Sequence, residues 1–245
     1  TLRTTQQEDL APSGLMVEEL CRLTRAGIVV GIVSGRGGSL RERLREAIPA
    51  VDWPRIHLGL YNGGWQTTLD SETKAVEGTS EFLQHVTRIA RKLQGIGVPI
   101  QTIRTTLPYQ VSVRFREGVD TEAMWFVLAD ALRQAGLALS GMVRSRHSID
   151  VLAPEISKSH VIANLIQQQK LLPHDLLTIG DQGAWPGNDA ALLEHRFSLS
   201  VDLPSRRLDR GWKLAPIEKR GVDATLWYLE RSHLTKAPGL LLHFD

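Results

Sequence analysis

The sequence predicts an α/β protein, a parallel-sheet core covered by helices and interrupted by an inserted α+β unit. Residues 28–33 form a short β-branched run with no polar alternation, the habit of a strand covered on both faces in a parallel sheet. A glycine turn, Ser34-Gly35-Arg36-Gly37-Gly38, and a helical stretch follow it, so the loop stands at the carboxyl end of a strand, where open α/β sheets bind ligands. The same grammar returns at residues 176–188, while the middle of the chain reads differently.

Taken in order, residues 15–26 place Leu15, Leu20 and Leu23 among charges at helical spacing, and Gly27 ends that helix. Residues 39–48 are a second helix. Its Arg41, Arg43 and Arg45 alternate with other residues at helical spacing and read as a solvated face. Residues 156–172 form a helix opened by Ser157 and Lys158. Pro173-His174-Asp175 turns the chain, and residues 176–179 make another buried strand. A helix is expected from Asn188, a further strand at 199–201, and a closing helix at 222–232.

The segment 66–150 has its own texture. Residues 79–94 carry Phe82, Val86, Ile89 and Leu93 on one helical stripe. Residues 98–116 hold two alternating strands, 120–135 another helix with Trp125 and Leu128 inward, and 142–152 alternate again. Helix, two strands, helix, two strands describes a small α+β layer. The expected division is therefore a core of 1–65 and 151–245 and an inserted domain of 66–150.

Composition narrows the class. Of 245 residues 42% are apolar and 23% charged, an ordinary globular balance. Cys21, the one cysteine, sits in an apolar helical pattern and reads as buried packing, and it cannot form a disulfide within the chain. No apolar run approaches the ~18 residues that span a bilayer. The polar first residues lack the layout of a signal peptide. A cytoplasmic protein with no membrane and no nucleic-acid partner is expected. The net charge of +2 is spread along the chain, without the basic stripe interleaved with aromatics that nucleic acid requires. The oligomeric state is not readable.

Three features at strand ends can carry chemistry. Ser34-Gly35-Arg36 offers a hydroxyl and backbone N–H groups at a helix entrance, a cradle for an anion. Lys158 opens the helix after the insert and can present a cation to the same crevice, or simply meet solvent. Asp181, directly after a buried strand, has no partner within it. With Asn188 and Asp189 it makes an oxygen-rich cluster suited to Mg²⁺, although Asn188 or Asp189 can equally cap the following helix.

In this order the motifs resemble the haloacid dehalogenase (HAD) superfamily of phosphatases, in its Cof-type branch with a type IIB cap. The second motif of that family appears as Ile32-Val33-Ser34-Gly35-Arg36, and an Asn-Gly segment before the cap as Tyr61-Asn62-Gly63-Gly64. The third is Ser157-Lys158-Ser159, and the fourth, GDxxND in its simple form, appears as Gly180-Asp181 with Asn188-Asp189. The resemblance implies a Rossmannoid core and a phosphomonoesterase that works through an aspartyl-phosphate. It implies that Ser34 and Lys158 hold the phosphoryl oxygens with Thr1, Gly35, Arg36, Asn62 and Asn188, that Asp181 and Asp189 fix Mg²⁺, with Ser34, Lys158 and Asp181 as catalytic residues, and that Asn188 also orients its neighbours. A small phosphorylated metabolite, a sugar phosphate by default, is the implied substrate.

Two departures stand out. Six residues separate Asp181 from Asn188 where the simple motif has two, and Trp185 in that longer loop either walls the substrate crevice or packs on a helix. The first motif, DxDGT, is missing: Thr1 reads as its threonine, so the nucleophile and the central strand are expected just upstream. Asp9 lies in a polar segment and does not replace it. The chain as given is then an inactive fragment of the enzyme, or a non-catalytic phosphometabolite-binding protein. In the cap, Arg104, Arg114, Arg144, Arg146 and His147 are candidates to meet the leaving group.

Overall fold

Ser13 begins the first helix, its Oγ accepting the N–H of Met16 at 3.3 Å, and Gly27 at φ 86° turns the chain after it. The computed structural model describes residues 12–235 and 240–243. In chain order the elements are α1 (Gly14–Arg25), β1 (Val30–Val33), α2 (Gly38–Ala47), β2 (Ile56–Leu60), β3 (Trp65–Thr68), α3 (Glu81–Gly95), β4 (Ile100–Thr106), β5 (Gln110–Phe115) and α4 (Thr121–Gln134). They continue as β6 (Met142–Arg144), β7 (Ser148–Leu152), α5 (Lys158–Gln169), β8 (Thr178–Gln182), α6 (Ala190–Leu193), β9 (Ser198–Leu203), α7 (Val222–Glu230), β10 (Ser232–Leu234) and β11 (Leu240–Leu242).

The described residues divide into two units. One holds the residues up to Thr73, Lys158–Ala184 and those from Asp189 onward; the other holds Lys74–Ser157 and Trp185–Asn188. β3, which straddles the expected boundary at 65/66, pairs with β2 inside the first unit.

In the first unit β1 pairs parallel with β2, and β2 antiparallel with β3, while β8 pairs parallel with β9 in a separate sheet. α5 lies along β1 and β2, where Leu165 and Val161 approach Gly31 and Gly59 closely. Met16, Leu20 and Leu23 of α1, Leu40 and Leu44 of α2, and Ile56, Leu58 and Leu60 of β2 form one core. Leu199, Val201, Trp227 and Tyr228 form another beneath β9 and α7. The run 28–33 is less covered than its composition implies: Ile32 is buried, Gly31 exposed, and the other two strand residues half-buried. Among the described residues β1 has a strand on one edge only, beside β2, and that leaves the other edge open.

The second unit is a four-stranded antiparallel sheet, β4-β5-β7-β6, packed against α3 and α4. Its core is built from alternate residues of the strands, Val111, Val113, Ile149 and Val151, under Trp125, Leu128 and Leu132 of α4. On α3 the deeply buried stripe is Leu83, Val86 and Ala90, with the expected Phe82, Ile89 and Leu93 half-buried along its flanks. The difference is a small rotation of the helix about its axis.

The expected solvated face of α2 is also corrected. Arg41 is buried over the Trp65 ring, 5.2 Å from its centroid, and Arg45 lies 5.0 Å from that of Trp53. Their guanidinium groups donate to the carbonyls of Thr73 and of Leu69 and Ser71. Cys21 is buried, as its apolar pattern implies. No helix among the described residues is long and apolar enough to cross a membrane.

Candidate active site

The loop after β1 is fastened to the turn after β2. Tyr61 donates its N–H to the Arg36 carbonyl at 2.9 Å, and Asn62 to the Ser34 carbonyl at 2.8 Å. These bonds demand an unusual backbone: Tyr61 and Asn62 stand at φ 52° and 57°, and Gly63 follows at 98°. Two non-glycine residues in the left-handed region are costly and are held by the surrounding contacts. The Tyr61 phenol covers Gly37, where a Cβ would overlap the ring. Asn62 is fully buried. The Ser34 Oγ accepts the Arg36 N–H at 3.1 Å, which turns the loop and leaves the hydroxyl proton to donate. Ser34, Gly35, Arg36 and Asn62 are thus brought together at the carboxyl end of β1.

The second cluster is buried deeper. Lys158, the first residue of α5, sends its Nζ to Asp189 Oδ1 at 2.6 Å. Asp189 Oδ2 accepts the backbone N–H of Asp181 at 2.7 Å. Both oxygens of Asp189 are therefore taken from within the chain. Gly180 makes the approach possible, since a Cβ there would meet the Asp189 carboxylate at 2.9 Å. β8 runs on through Asp181 and Gln182, so Asp181 is a strand residue and not the first of the loop.

The two aspartates differ electrostatically. Burial, and then the Asp189 charge, raise the Asp181 carboxyl to about 6. At Asp189 burial opposes ionisation, but the Lys158 cation and the hydrogen bonds to it hold the carboxyl well below the usual range. Asp189 is the permanent anion of the pair, and Asp181 is the carboxyl that burial and its neighbour's charge push toward the neutral form. Mg²⁺ fits there: it takes one or two protein carboxylates and fills its shell with waters and substrate oxygens. Among the described residues no group of three or more His, Cys, Asp or Glu is placed to hold a metal ion.

Asn188 goes elsewhere. Its N–H donates to the Arg144 carbonyl at 2.9 Å within the second unit, and Arg144 donates its own N–H to Pro186 at 2.8 Å. The expected helix from Asn188 is the single turn α6, with Asp189 at its N-cap position but no side-chain capping bond. Trp185 remains 61% exposed and meets Trp125 of α4 edge-on, with ring centroids 5.1 Å apart. Thr1 and Asp9 lie outside the described residues. The sequence motif assigns Tyr61 no role. Its adjacency to an Asn-Gly pair was the only local sign that it would adopt the same left-handed turn.

Solved structures of the same architecture handle phosphate esters. The chain superposes with a TM-score of 0.55 on the trehalose-6-phosphate phosphatase of Aspergillus fumigatus, at 17% identity over 94% of this chain and 88% of that one. It superposes at 0.53 on a Bacteroides thetaiotaomicron phosphatase of the HAD superfamily, at 17% identity over 80% and 77%. Against N-terminally truncated, IMP-bound Plasmodium falciparum IMP-nucleotidase the TM-score is 0.58 at 12% identity, over 83% of this chain but only 62% of that truncated chain. The fold is that of the HAD-class phosphatases. Within that class the chain belongs to the sucrose-6F-phosphate phosphohydrolase family, which it matches over residues 17–203. Comparison with curated proteins finds no match.

Proposed function

We propose that the protein hydrolyses the phosphomonoester of a small phosphorylated sugar in the presence of Mg²⁺. The observation that carries this reading is the buried Lys158–Asp189 pair beside Asp181, whose carboxyl is raised to about 6. A lysine held by a permanently ionised aspartate is a fixed cation, suited to the charge of a phosphoryl group. Asp181, with Asp189 behind it, would hold the metal.

Ser34 donates its hydroxyl proton to a phosphoryl oxygen, because its lone pair already accepts from Arg36. Backbone groups at the entrance of α2 complete the cradle. Lys158 offsets the phosphoryl charge, and Asp189 fixes where its Nζ stands. Bound Mg²⁺ would screen the repulsion between phosphate and carboxylates. The nucleophile in this reading is an aspartate. It forms a bond to phosphorus as the P–O bond to the sugar breaks, the sugar oxygen leaving with a proton from a general acid; water, giving its proton back to that group, then cleaves the aspartyl-phosphate.

The test is phosphate release from sucrose 6-phosphate, trehalose 6-phosphate and glucose 6-phosphate, using the chain with whatever coding sequence precedes Thr1. Release that needs Mg²⁺ and stops on Asp181→Asn supports the reading. Tight binding of these esters without any release would replace it with a phosphometabolite-binding protein.

A further inference from the structure

The ten residues 208–217 hold four of the sixteen large apolar side chains exposed among the described residues, so the exposure is concentrated there and not scattered singly. Leu208 is 95% exposed and Ile217 80%, while Trp212 and Leu214 are each nearly half exposed. Charge of one sign goes with them. Residues 205–221 carry six cations against two acids, and one of those acids, Asp209, is held by the Arg210 guanidinium at 2.5 Å. Outside the stretch, Glu194 stands 3.5 Å from Arg207 and Asp202 3.3 Å from Arg220, yet both arginines keep about three-fifths of their side chains in water. Arg206 is exposed as well.

The backbone that presents these side chains is fastened. Ser205 donates its N–H to the Gly211 carbonyl at 3.0 Å, and Ser200 to the Trp212 carbonyl at 2.7 Å. Trp212 Nε1 donates to the Leu208 carbonyl at 2.9 Å, and Lys213 Nζ to the carbonyls of Pro216 and Ile217. The buried Tyr228 hydroxyl accepts the N–H groups of Leu214 and Ala215 and donates to the Ser200 carbonyl. The stretch is thus tied to β9 and α7 within the first unit, and its apolar side chains are held outward.

A leucine with nearly all of its surface in water lines no groove, so its partner must surround it. Fluid lipid does so: apolar tips enter the acyl boundary, an indole sits at headgroup level, and Arg and Lys meet the phosphates. A nucleic acid would leave Leu208 and Ile217 in water, and a symmetric contact with a second copy would set one basic stretch against another. We propose that residues 206–220 dock on a membrane surface with anionic headgroups. Leu208 and Ile217 enter the lipid, and Arg206, Arg207 and Arg220 lie on the phosphates. The expectation of no membrane partner rested on the lack of a spanning run and of a signal peptide, and a surface contact uses neither. None of these residues belongs to the candidate active site, so the docking surface stands whether or not the chain releases phosphate.

The experiment is co-sedimentation of the full chain with phosphatidylcholine vesicles, with and without phosphatidylglycerol at about one lipid in three. It compares wild type with the double variants Leu208→Ser/Ile217→Ser and Arg206→Glu/Arg207→Glu. Wild type is expected to bind the anionic vesicles, to bind the neutral ones about tenfold more weakly or less, and to be released at about 0.5 M salt. Each double variant is expected to weaken binding to the anionic vesicles by about tenfold or more. Thermal melts check that these exposed positions leave the fold intact. The inference is overturned if wild type binds no anionic vesicle at about 1 mM lipid. It is overturned equally if Leu208→Ser/Ile217→Ser binds as wild type does, since charge alone would then account for the contact. Retention of poly(U) RNA or of polyglutamate without vesicle binding also overturns it and assigns the surface to that polyanion.

Discussion

The Lys158 ammonium stands 2.6 Å from one oxygen of Asp189, and both side chains are buried. The remaining Asp189 oxygen accepts the N–H of Asp181. One ion pair therefore connects the helix that follows the insert with the strand end that carries Asp181.

Breaking this pair from one side is expected to cost more than removing its charge altogether. Lys158→Met strands a buried carboxylate and is expected to destabilise by about 3–5 kcal/mol, read from urea unfolding. Adding Asp189→Asn to the same chain should return most of that loss, because the amide is neutral and still accepts the Asp181 N–H. A double variant no more stable than Lys158→Met would show that the pair's charge is not the source of the cost. Both chains should lose phosphate release.

Asp181 is expected to work against stability when no cation is present. Its carboxyl titrates at about 6 in the folded chain against about 3.9 unfolded, so the folded state binds the proton more tightly. Stability from this group is complete below about pH 4 and is lost as the pH rises through 6. Asp189 has the opposite sign: its carboxyl is depressed, so its contribution is present above about pH 4 and lost in acid. Asp181→Asn should therefore raise the metal-free stability at pH 7.5 by on the order of 2 kcal/mol. Mg²⁺ should raise the Tm of wild type and not of the variant. A variant less stable than wild type at pH 7.5 in EDTA would contradict the assignment.

Gly180 leaves no room for a side chain. Its Cβ position is 2.9 Å from the Asp189 carboxylate, so Gly180→Ala must push Asp189 off Lys158 or off the Asp181 N–H. The expected cost is about 1–3 kcal/mol, as for other overpacked interiors, together with loss of phosphate release. Unchanged turnover in a stable Gly180→Ala chain would mean that Asp189 need not stand where it does.

At Asn62 backbone and side chain can be separated. The residue sits at φ 57° and holds the Ser34 loop through its N–H. Asn62→Gly keeps that conformation without strain, whereas Asn62→Ala should cost about 1–2 kcal/mol more. If Asn62→Gly is stable but inactive, the amide group touches the reaction. Equal stability of the two variants, read from thermal melts, would remove the strain argument.

Much of this protein was written locally. A β-branched run, a Ser-Gly turn and a cap glycine specify β1, its loop and the end of α1 through the preferences of a few adjacent residues, and the helical stripes of α3 and α4 follow from residue periodicity. The motifs that resemble the HAD superfamily also stand in order along the chain. Long-range pairing decided the rest. Residues 56–60 lack a strong strand signature and become β2 only by lying between β1 and β3. Whether Asp189 faces a metal or a lysine could not be read from its neighbours, because its partner Lys158 is 31 residues away. The segment Trp185–Asn188 looked like an extended metal-site loop, yet hydrogen bonds to Arg144 make it part of the second unit. Local preference sets what a segment can form; which buried donor meets which acceptor is settled only when distant parts of the chain are packed together.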